Sequence, residues 1–245
     1  MKLTYVYHSC CAIEFKKFAV LIDYYRDAIK EGEGVGWVDK NLLQSNKPLY
    51  VLCTHSHADH FNEEVLKWDA HKDNITYIFS KEVADSLKDN TLLKDEKITY
   101  LDKFEEYKDK NIKVQAFGST DEGGSFYIEH KRKKIFHAGD LNNWHWNEEV
   151  PFEEALGFEN HYICELELLS EQVKEVDVAM FPIDPRLGKD FMRGAEQYVN
   201  KIKTRHILPL HFGDNYELIQ QFEPIASKAK TKVLLPEHAG QSFKL

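Results

Sequence analysis

Leu49-Tyr50-Val51-Leu52-Cys53-Thr54-His55-Ser56-His57-Ala58-Asp59-His60-Phe61 places three histidines and one carboxylate within six residues, directly after an apolar, β-prone run. A strand alternates its side chains, so His55 and His57 point the same way as the chain leaves it. Asp59 and His60 fall in the turn that follows, free to face a second point nearby. Imidazole nitrogen and carboxylate oxygen are the donors that zinc, iron and manganese accept. A polar strand-end loop with chance histidines is the plainer reading, but four potential ligands in a His-x-His-x-Asp-His spacing favour a metal site.

That spacing behind a hydrophobic strand resembles the signature of the metallo-β-lactamase superfamily. The resemblance implies an α/β fold, an αββα four-layer sandwich with one or two divalent ions at the edge of its two sheets. Zinc is the first expectation, with manganese or iron as alternatives. Two later stretches resemble the superfamily's other ligand motifs. Residues 125–129 and 135–137 flank a basic tip as a hairpin and run into Ala138-Gly139-Asp140-Leu141, similar to the bridging-carboxylate motif, with Asp140 between two ions. Ile207-Leu208-Pro209-Leu210-His211 is an apolar strand that delivers a histidine at its end, similar to the last ligand motif. The resemblance thus assigns His55, His57, Asp59, His60, Asp140 and His211 as metal ligands, and it covers essentially the whole chain.

The start of the chain also resembles the superfamily. Residues 3–8, 11–15 and 18–22 read as strands, with Lys16-Lys17 as a turn, and the last ends in Asp23. Asp23 has two readings: support of the metal site from behind, by hydrogen bonding a loop backbone or a ligand imidazole, or a cap on the segment that follows. His8 reads first as a satisfied histidine near the core and second as a residue lining the site.

One ligand departs from the pattern. The superfamily's Gly-His-Thr-type turn corresponds here to Phe117-Gly118-Ser119-Thr120-Asp121, so that Ser119 stands where a histidine completes the first metal site. A neutral serine is a poor ligand for a divalent cation. Three outcomes are open: Asp121 substitutes as a carboxylate; the His55–His57 position binds weakly and leaves one firm ion; or another histidine, His137 or His145, fills the gap.

Size and composition bound the rest. A chain of 245 residues, 42% hydrophobic and 30% charged, without repeats or biased segments, is expected to form one domain spanning 1–245. The formal net charge of −9 argues against a nucleic-acid surface, which needs clustered Lys and Arg. The two basic spots, residues 131–134 and 228–232, read as a hairpin tip and a solvated helix end. Four cysteines without a C-x-x-C pair read as buried thiols of a reducing compartment. With no apolar leader and no long apolar run, a cytoplasmic protein with no membrane partner is expected. Residues 24–46, with Gly32, Gly34 and Gly36 among charges, read as a loop or broken helix bordering the site. Helices are expected over 62–70, 81–87 and 194–202, and strands over 75–80, 98–101, 112–117 and 178–184.

The chemistry implied by the resemblance is hydrolysis by a metal-bound hydroxide, with Asp59 as the catalytic residue that orients the nucleophile or accepts its proton. No G-x-S-x-G nucleophile motif is present. By the same resemblance, an H-x-H opening favours a hydrolase over a diiron oxidoreductase. The substrate expected is a small, anionic phosphodiester, ester or lactone: Arg186 and Lys189 offer positive charge, and Trp144-His145-Trp146 offers either an aromatic wall or core packing. The rivals are a metal-binding sensor or binding protein of the same fold without turnover, and a protein whose zinc is structural.

Overall fold

The strand that carries the signature is apolar throughout because both of its faces are covered. The structure, a computed structural model, describes residues 1–30, 32 and 34–245, with Asp95 described by its backbone alone. Its first sheet comprises β1 (Lys2–Tyr7), β2 (Cys10–Glu14), β3 (Ala19–Ile22), β4 (Leu49–Cys53), β5 (Ile75–Ser80), β6 (Ile98–Leu101) and β14 (Gln241–Lys244), in the order β14-β1-β2-β3-β4-β5-β6. From β3 to β6 the pairing is parallel. Alternate residues enter two different cores. Val20, Ile22, Tyr50, Leu52 and Ile78 pack inward, while Ala19, Leu21, Leu49, Val51, Tyr77 and Phe79 pack on the other face. A strand covered on both sides needs no polar alternation.

The second sheet contains β7 (Glu106–Lys108), β8 (Lys113–Phe117), β9 (Ser125–His130), β10 (Lys133–His137), β11 (Glu175–Pro182), β12 (Lys203–Leu210) and β13 (Lys232–Val233), in the order β13-β12-β11-β10-β9-β8-β7. Its Phe126, Ile128 and Ile135 share the inner core with the first sheet. Helix α2 (Phe152–Gln172) and helix α3 (Arg193–Lys201) pack on the second sheet through Tyr162, Leu166, Leu169 and Tyr198, the last stacking against Phe136 at 5.6 Å. The outer face of the first sheet is covered by a three-ten segment, Glu63–Ala70, and the short helix α1 (Val83–Ser86), through Leu66, Trp68 and Val83. Helix α4 (Glu223–Lys228) precedes β13. These are the four layers of an αββα sandwich.

Local differences from the sequence expectations have local causes. Helix α2 was not expected: of its 21 residues only Ala155, Tyr162, Leu166 and Leu169 are buried, too thin a stripe to stand out against its glutamates. Residues 63–70 form a three-ten segment rather than an α-helix, although Asn62 caps it as expected, its side chain accepting from Glu64 N at 2.9 Å. Cys10, Cys11 and Cys53 are buried thiols, but Cys164 sits exposed on α2. Among the described residues of the expected loop or broken helix over 24–46, a π-type turn, Asp39–Leu43, forms; Glu31 and Glu33 lie outside the described residues. Among the described residues no helix is long and apolar enough to cross a membrane.

The consequence for function lies at one edge. Asp23 follows β3, residues 54–60 follow β4, Gly139 and Asp140 follow β10, Asp184 follows β11 and His211 follows β12. All five strands have parallel neighbours, and their carboxyl ends deliver these residues to the same rim, where α/β sheets place ligands.

Candidate metal centre and cleft

The rim is organised by one buried carboxylate. Asp23, fully buried, accepts from Thr54 N at 2.8 Å, from Thr54 Oγ1 at 2.7 Å and from His60 Nδ1 at 2.9 Å. Both sequence readings of Asp23 as a support thus apply: it holds the loop backbone and an imidazole together. Because Thr54 Oγ1 gives its proton to Asp23, it accepts one from His55 Nδ1, 3.0 Å away. His211 donates its Nδ1–H to Asp184 Oδ2 at 2.8 Å. Each of these three rings therefore spends its Nδ1–H on an oxygen behind it and turns forward an Nε2 that has no hydrogen-bond partner, the arrangement that orients metal-binding histidines. Close approach at this point needs Gly139, whose φ is +54°: a Cβ there would lie 2.8 Å from both Gly124 O and Thr54 Oγ1.

The forward atoms fall into two groups, each with its donor atoms within 4.8 Å of one another: His55, His57, Asp121 and Asp140 in one, His8, Asp59, His60 and His211 in the other. Asp140 reaches both, with carboxylate oxygens 3.7 Å from His55 Nε2, 3.1 Å from His60 Nε2 and 3.6 Å from His211 Nε2. Asp121 Oδ2 lies 3.5 Å from His57 Nδ1, and Asp59 Oδ2 lies 3.5 Å from His211 Nε2. Two ligands of one tetrahedral zinc, each about 2.1 Å from the ion, stand about 3.4 Å apart. The separations match that spacing. Moreover, Nε2 of His8, His55, His60 and His211 and Oδ1 of Asp140 are buried and make no hydrogen bond, a costly state for polar atoms that have nothing to bind. The residues fit divalent cations.

The three outcomes left open at Ser119 can now be compared. Ser119 faces a different cavity, of about 280 Å³, and its hydroxyl accepts from Asp121 N at 3.3 Å. His137 is spent on structure, Nε2 donating to Ser9 O at 2.9 Å and Nδ1 accepting from Gly139 N at 3.1 Å. His145 likewise pairs with Asp190 O at 3.2 Å and Asn147 N at 3.2 Å. Asp121 is the residue that stands beside His55 and His57.

Above the two groups opens a cleft of about 340 Å³, lined by Thr120, Trp144, Trp146, Phe158 and Arg186 together with His57, Asp59, Asp121, Asp140 and His211. Trp144 serves both readings of the aromatic run: it belongs to the core and its indole N–H donates to the Asp140 carbonyl at 2.8 Å, while its ring also faces the cleft. Arg186 is anchored through Nε and Nη2 to Asp184 and brings positive charge to the cleft wall; Lys189 is not among its lining residues. Sequence reasoning missed Asp184 as the partner of His211 and Phe158 as a wall. The one signal for Asp184 was its place at the end of an apolar strand, as with Asp23.

Electrostatics separate the rings. Burial and the neighbouring His60 push His55 down to about 4. Burial opposes charge on His60 and His211 as well, but Asp140 and Asp23 lift His60 to about 10, and Asp140, Asp184 and Asp59 lift His211 to about 9. The His211 and His8 imidazoles, 3.5 and 3.2 Å from its Oδ2, hold the Asp59 carboxyl far below the usual range. Raised values mean that the imidazolium–carboxylate contacts stabilise the ion-free fold fully below about pH 6.5, the ordinary histidine value. That stabilisation is lost as pH rises through about 9 to 10. A cation needs both rings neutral, so it must expel their protons. Zinc titrated calorimetrically at pH 7 in buffers of different ionisation enthalpy should release about two protons, and the release should vanish above about pH 10. A buffer-independent heat at pH 7 would contradict the assignment of His60 and His211.

Comparison with known proteins supports the same frame. A UPF0173 protein of Pyrococcus furiosus is 24% identical over 219 residues, covering 87% of this chain and 84% of the relative. Among solved structures, Igni18, a metallo hydrolase from Ignicoccus hospitalis, superposes with a TM-score of 0.67 at 16% identity, covering 100% of this chain and 98% of its own. CmlA, a diiron β-hydroxylase from Streptomyces venezuelae, gives 0.69 at 14% identity over 100% of this chain but 54% of its own. An isothiocyanate hydrolase from Delia radicum gut bacteria gives 0.61 at 14% identity, covering 100% and 99%. At these identities the structures show the fold, which serves hydrolytic and oxidative proteins alike. Residues 2–211 match the family model described as the β-lactamase superfamily domain, and with two sheets in an αββα sandwich and histidine–aspartate groups at their edge, the chain belongs to the metallo-β-lactamase superfamily.

Proposed function

We propose that the protein is a metal-dependent hydrolase of a small anionic substrate, a phosphodiester, ester or lactone. One observation carries the reading: buried imidazole nitrogens without hydrogen-bond partners gather around the Asp140 carboxylate, and Asp140 and His211 line an open cleft whose wall holds a cation and three aromatic rings. A purely structural zinc site is closed, whereas a catalytic one keeps access to substrate. His55, His57, Asp121 and Asp140 would hold one ion, and Asp59, His60 and His211, sharing Asp140, the other; zinc suits this donor set best, with manganese or iron as alternatives. When bound, such ions lower the pKa of water to about 7 and polarise a carbonyl or phosphoryl oxygen.

The chain's own residues do the rest. Trp144, Trp146 and Phe158 provide apolar walls that exclude water from the substrate body, and Arg186 meets its negative group. Arg186 is pre-positioned, since its Nε and Nη2 are tied to Asp184 and its Nη1 is left for a ligand. Asp59 lines the cleft and stays ionised, placed to orient the attacking water or to accept its proton. Two divalent cations would outweigh the carboxylates of Asp59, Asp121 and Asp140 by one charge, whereas one cation would leave the site negative. An anionic substrate therefore goes with a dinuclear centre. Free buried thiols and the acidic net charge support a cytoplasmic protein without nucleic-acid or membrane partners.

The reading is tested by turnover of generic phosphodiesters, esters and lactones with added Zn²⁺, Mn²⁺ or Fe²⁺. Activity that His57→Ala and Asp140→Ala both abolish is expected; none with any of these metals would favour the sensor reading. Asp59→Asn should lower kcat by about 10²- to 10⁴-fold with the fold intact, and near-wild-type turnover would remove Asp59 from its role. Arg186→Ala should raise KM for anionic substrates about 10- to 100-fold, the worth of a charge-assisted hydrogen bond, with neutral esters much less affected. Asp121→Ala should reduce bound metal from about two equivalents to about one; unchanged stoichiometry would take Asp121 out of the ligand set.

A further inference from the structure

We propose that His8 is a ligand of the ion held by Asp59, His60 and His211, a donor that lies outside the His-x-His-x-Asp-His spacing by nearly fifty residues of chain. The inference rests on the metal-centre part of the reading above and is independent of whether the protein hydrolyses anything.

The backbone goes to some trouble to put this ring in place. Between β1 and β2 the register slips between Tyr5 and Tyr7, a bulge, and the chain then turns at His8 with φ of +56°. A non-glycine residue in the left-handed region is uncommon and strained, so its surroundings must hold it there. The conformation is pinned on both sides: His8 N donates to Tyr5 Oη at 3.0 Å, and His8 O accepts from His211 N at 3.4 Å. His211 itself has φ of +61°. Two strand ends from different sheets are thus joined at two strained, histidine-bearing positions.

The side chain is not satisfied by protein alone. Its Nε2 is buried and makes no hydrogen bond; the 3.2 Å approach to Asp59 Oδ2 lacks hydrogen-bond geometry. The ring lies 4.2 Å from that of His211 and 6.3 Å from that of His60, centroid to centroid. Its Nε2 joins the donor atoms of Asp59, His60 and His211 within 4.8 Å, and the 3.2 Å spacing to Asp59 fits two ligands of one ion, about 3.4 Å apart. A substrate-binding role fits poorly, because His8 does not line the cleft.

The two metal positions then differ in kind. The one with His8 has three imidazoles, all largely buried, with side-chain exposures of 14% for His8, 0% for His60 and 4% for His211. The other has two imidazoles, buried His55 and 47% exposed His57, with Asp121 at 42%, close to the 41% of Asp59 in the first. The first position should hold its ion more tightly.

The test compares wild type with His8→Asn, because asparagine tolerates the left-handed backbone and removes the ring. Zinc affinity is read by competition with a chromophoric chelator, the ligand field by the visible spectrum of the one-equivalent cobalt(II) form, and folding by the thermal midpoint of the metal-free protein. Expected are one tight and one weaker site in wild type, and in His8→Asn a tight-site affinity more than about 100-fold lower, with an altered cobalt spectrum. Loss of a residue that only positions a ligand costs about 10- to 100-fold. A smaller loss with an unchanged spectrum would therefore overturn the proposal. Should the variant not fold, X-ray absorption of the wild-type protein with one equivalent of zinc decides: three imidazoles support the proposal and two overturn it. Wild type that binds no zinc would instead overturn the metal-centre reading itself.

Discussion

Everything at the rim depends on the buried carboxylate of Asp23. A carboxylate without solvent must be compensated, and this one is met by a backbone amide, a hydroxyl and an imidazole N–H. Those three bonds tie the end of β3 to the loop after β4, fix the proton on His60 Nδ1 and, through Thr54, fix that of His55 as well. The proton positions on two candidate ligands therefore follow from one residue that belongs to neither donor group. Asp184 does the same for His211 from the second sheet, so each sheet supplies its own anchor to a centre built between them.

Backbone strain is distributed in the same way. His8, Asp23 and His211 all have positive φ, and all sit where a strand ends at the rim. None carries a glycine's freedom, so each conformation must be held by its surroundings: by Tyr5 and His211 around His8, by Thr54 and His60 around Asp23, by Asp184 around His211. The two sheets provide the rigid cores that make this tolerable, and the strained positions lie at or directly behind the two candidate donor groups.

The departure at Ser119 illustrates why a ligand set is not read from one turn. In sequence, Asp121, His137 and His145 all stand as candidates for the missing donor, Asp121 ahead of the two histidines. What separated them was hydrogen bonding at a distance: His137 is consumed by Ser9 and Gly139, His145 by Asp190 and Asn147. Only the folded chain reveals which polar atoms are already satisfied. The same holds for Arg186 and Lys189, equal offers of positive charge in sequence, of which only Arg186, held by Asp184, lines the cleft.

Sequence alone determined the central strands, because runs such as residues 49–53 and 207–210 are apolar enough to be buried on both faces, but not the short edge strands β7, β13 and β14. It also determined the histidine–aspartate constellation, because ligands on one strand end and its turn have a fixed local spacing. Tertiary structure decided what lies between distant strand ends: that Asp140 reaches both groups, that Asp121 stands beside His57, that His8 meets His211, and that a thinly apolar α2 contributes Phe158 to the cleft. Those relations arise from parallel strands delivering their carboxyl ends to one rim, and no local pattern encodes which of them become neighbours.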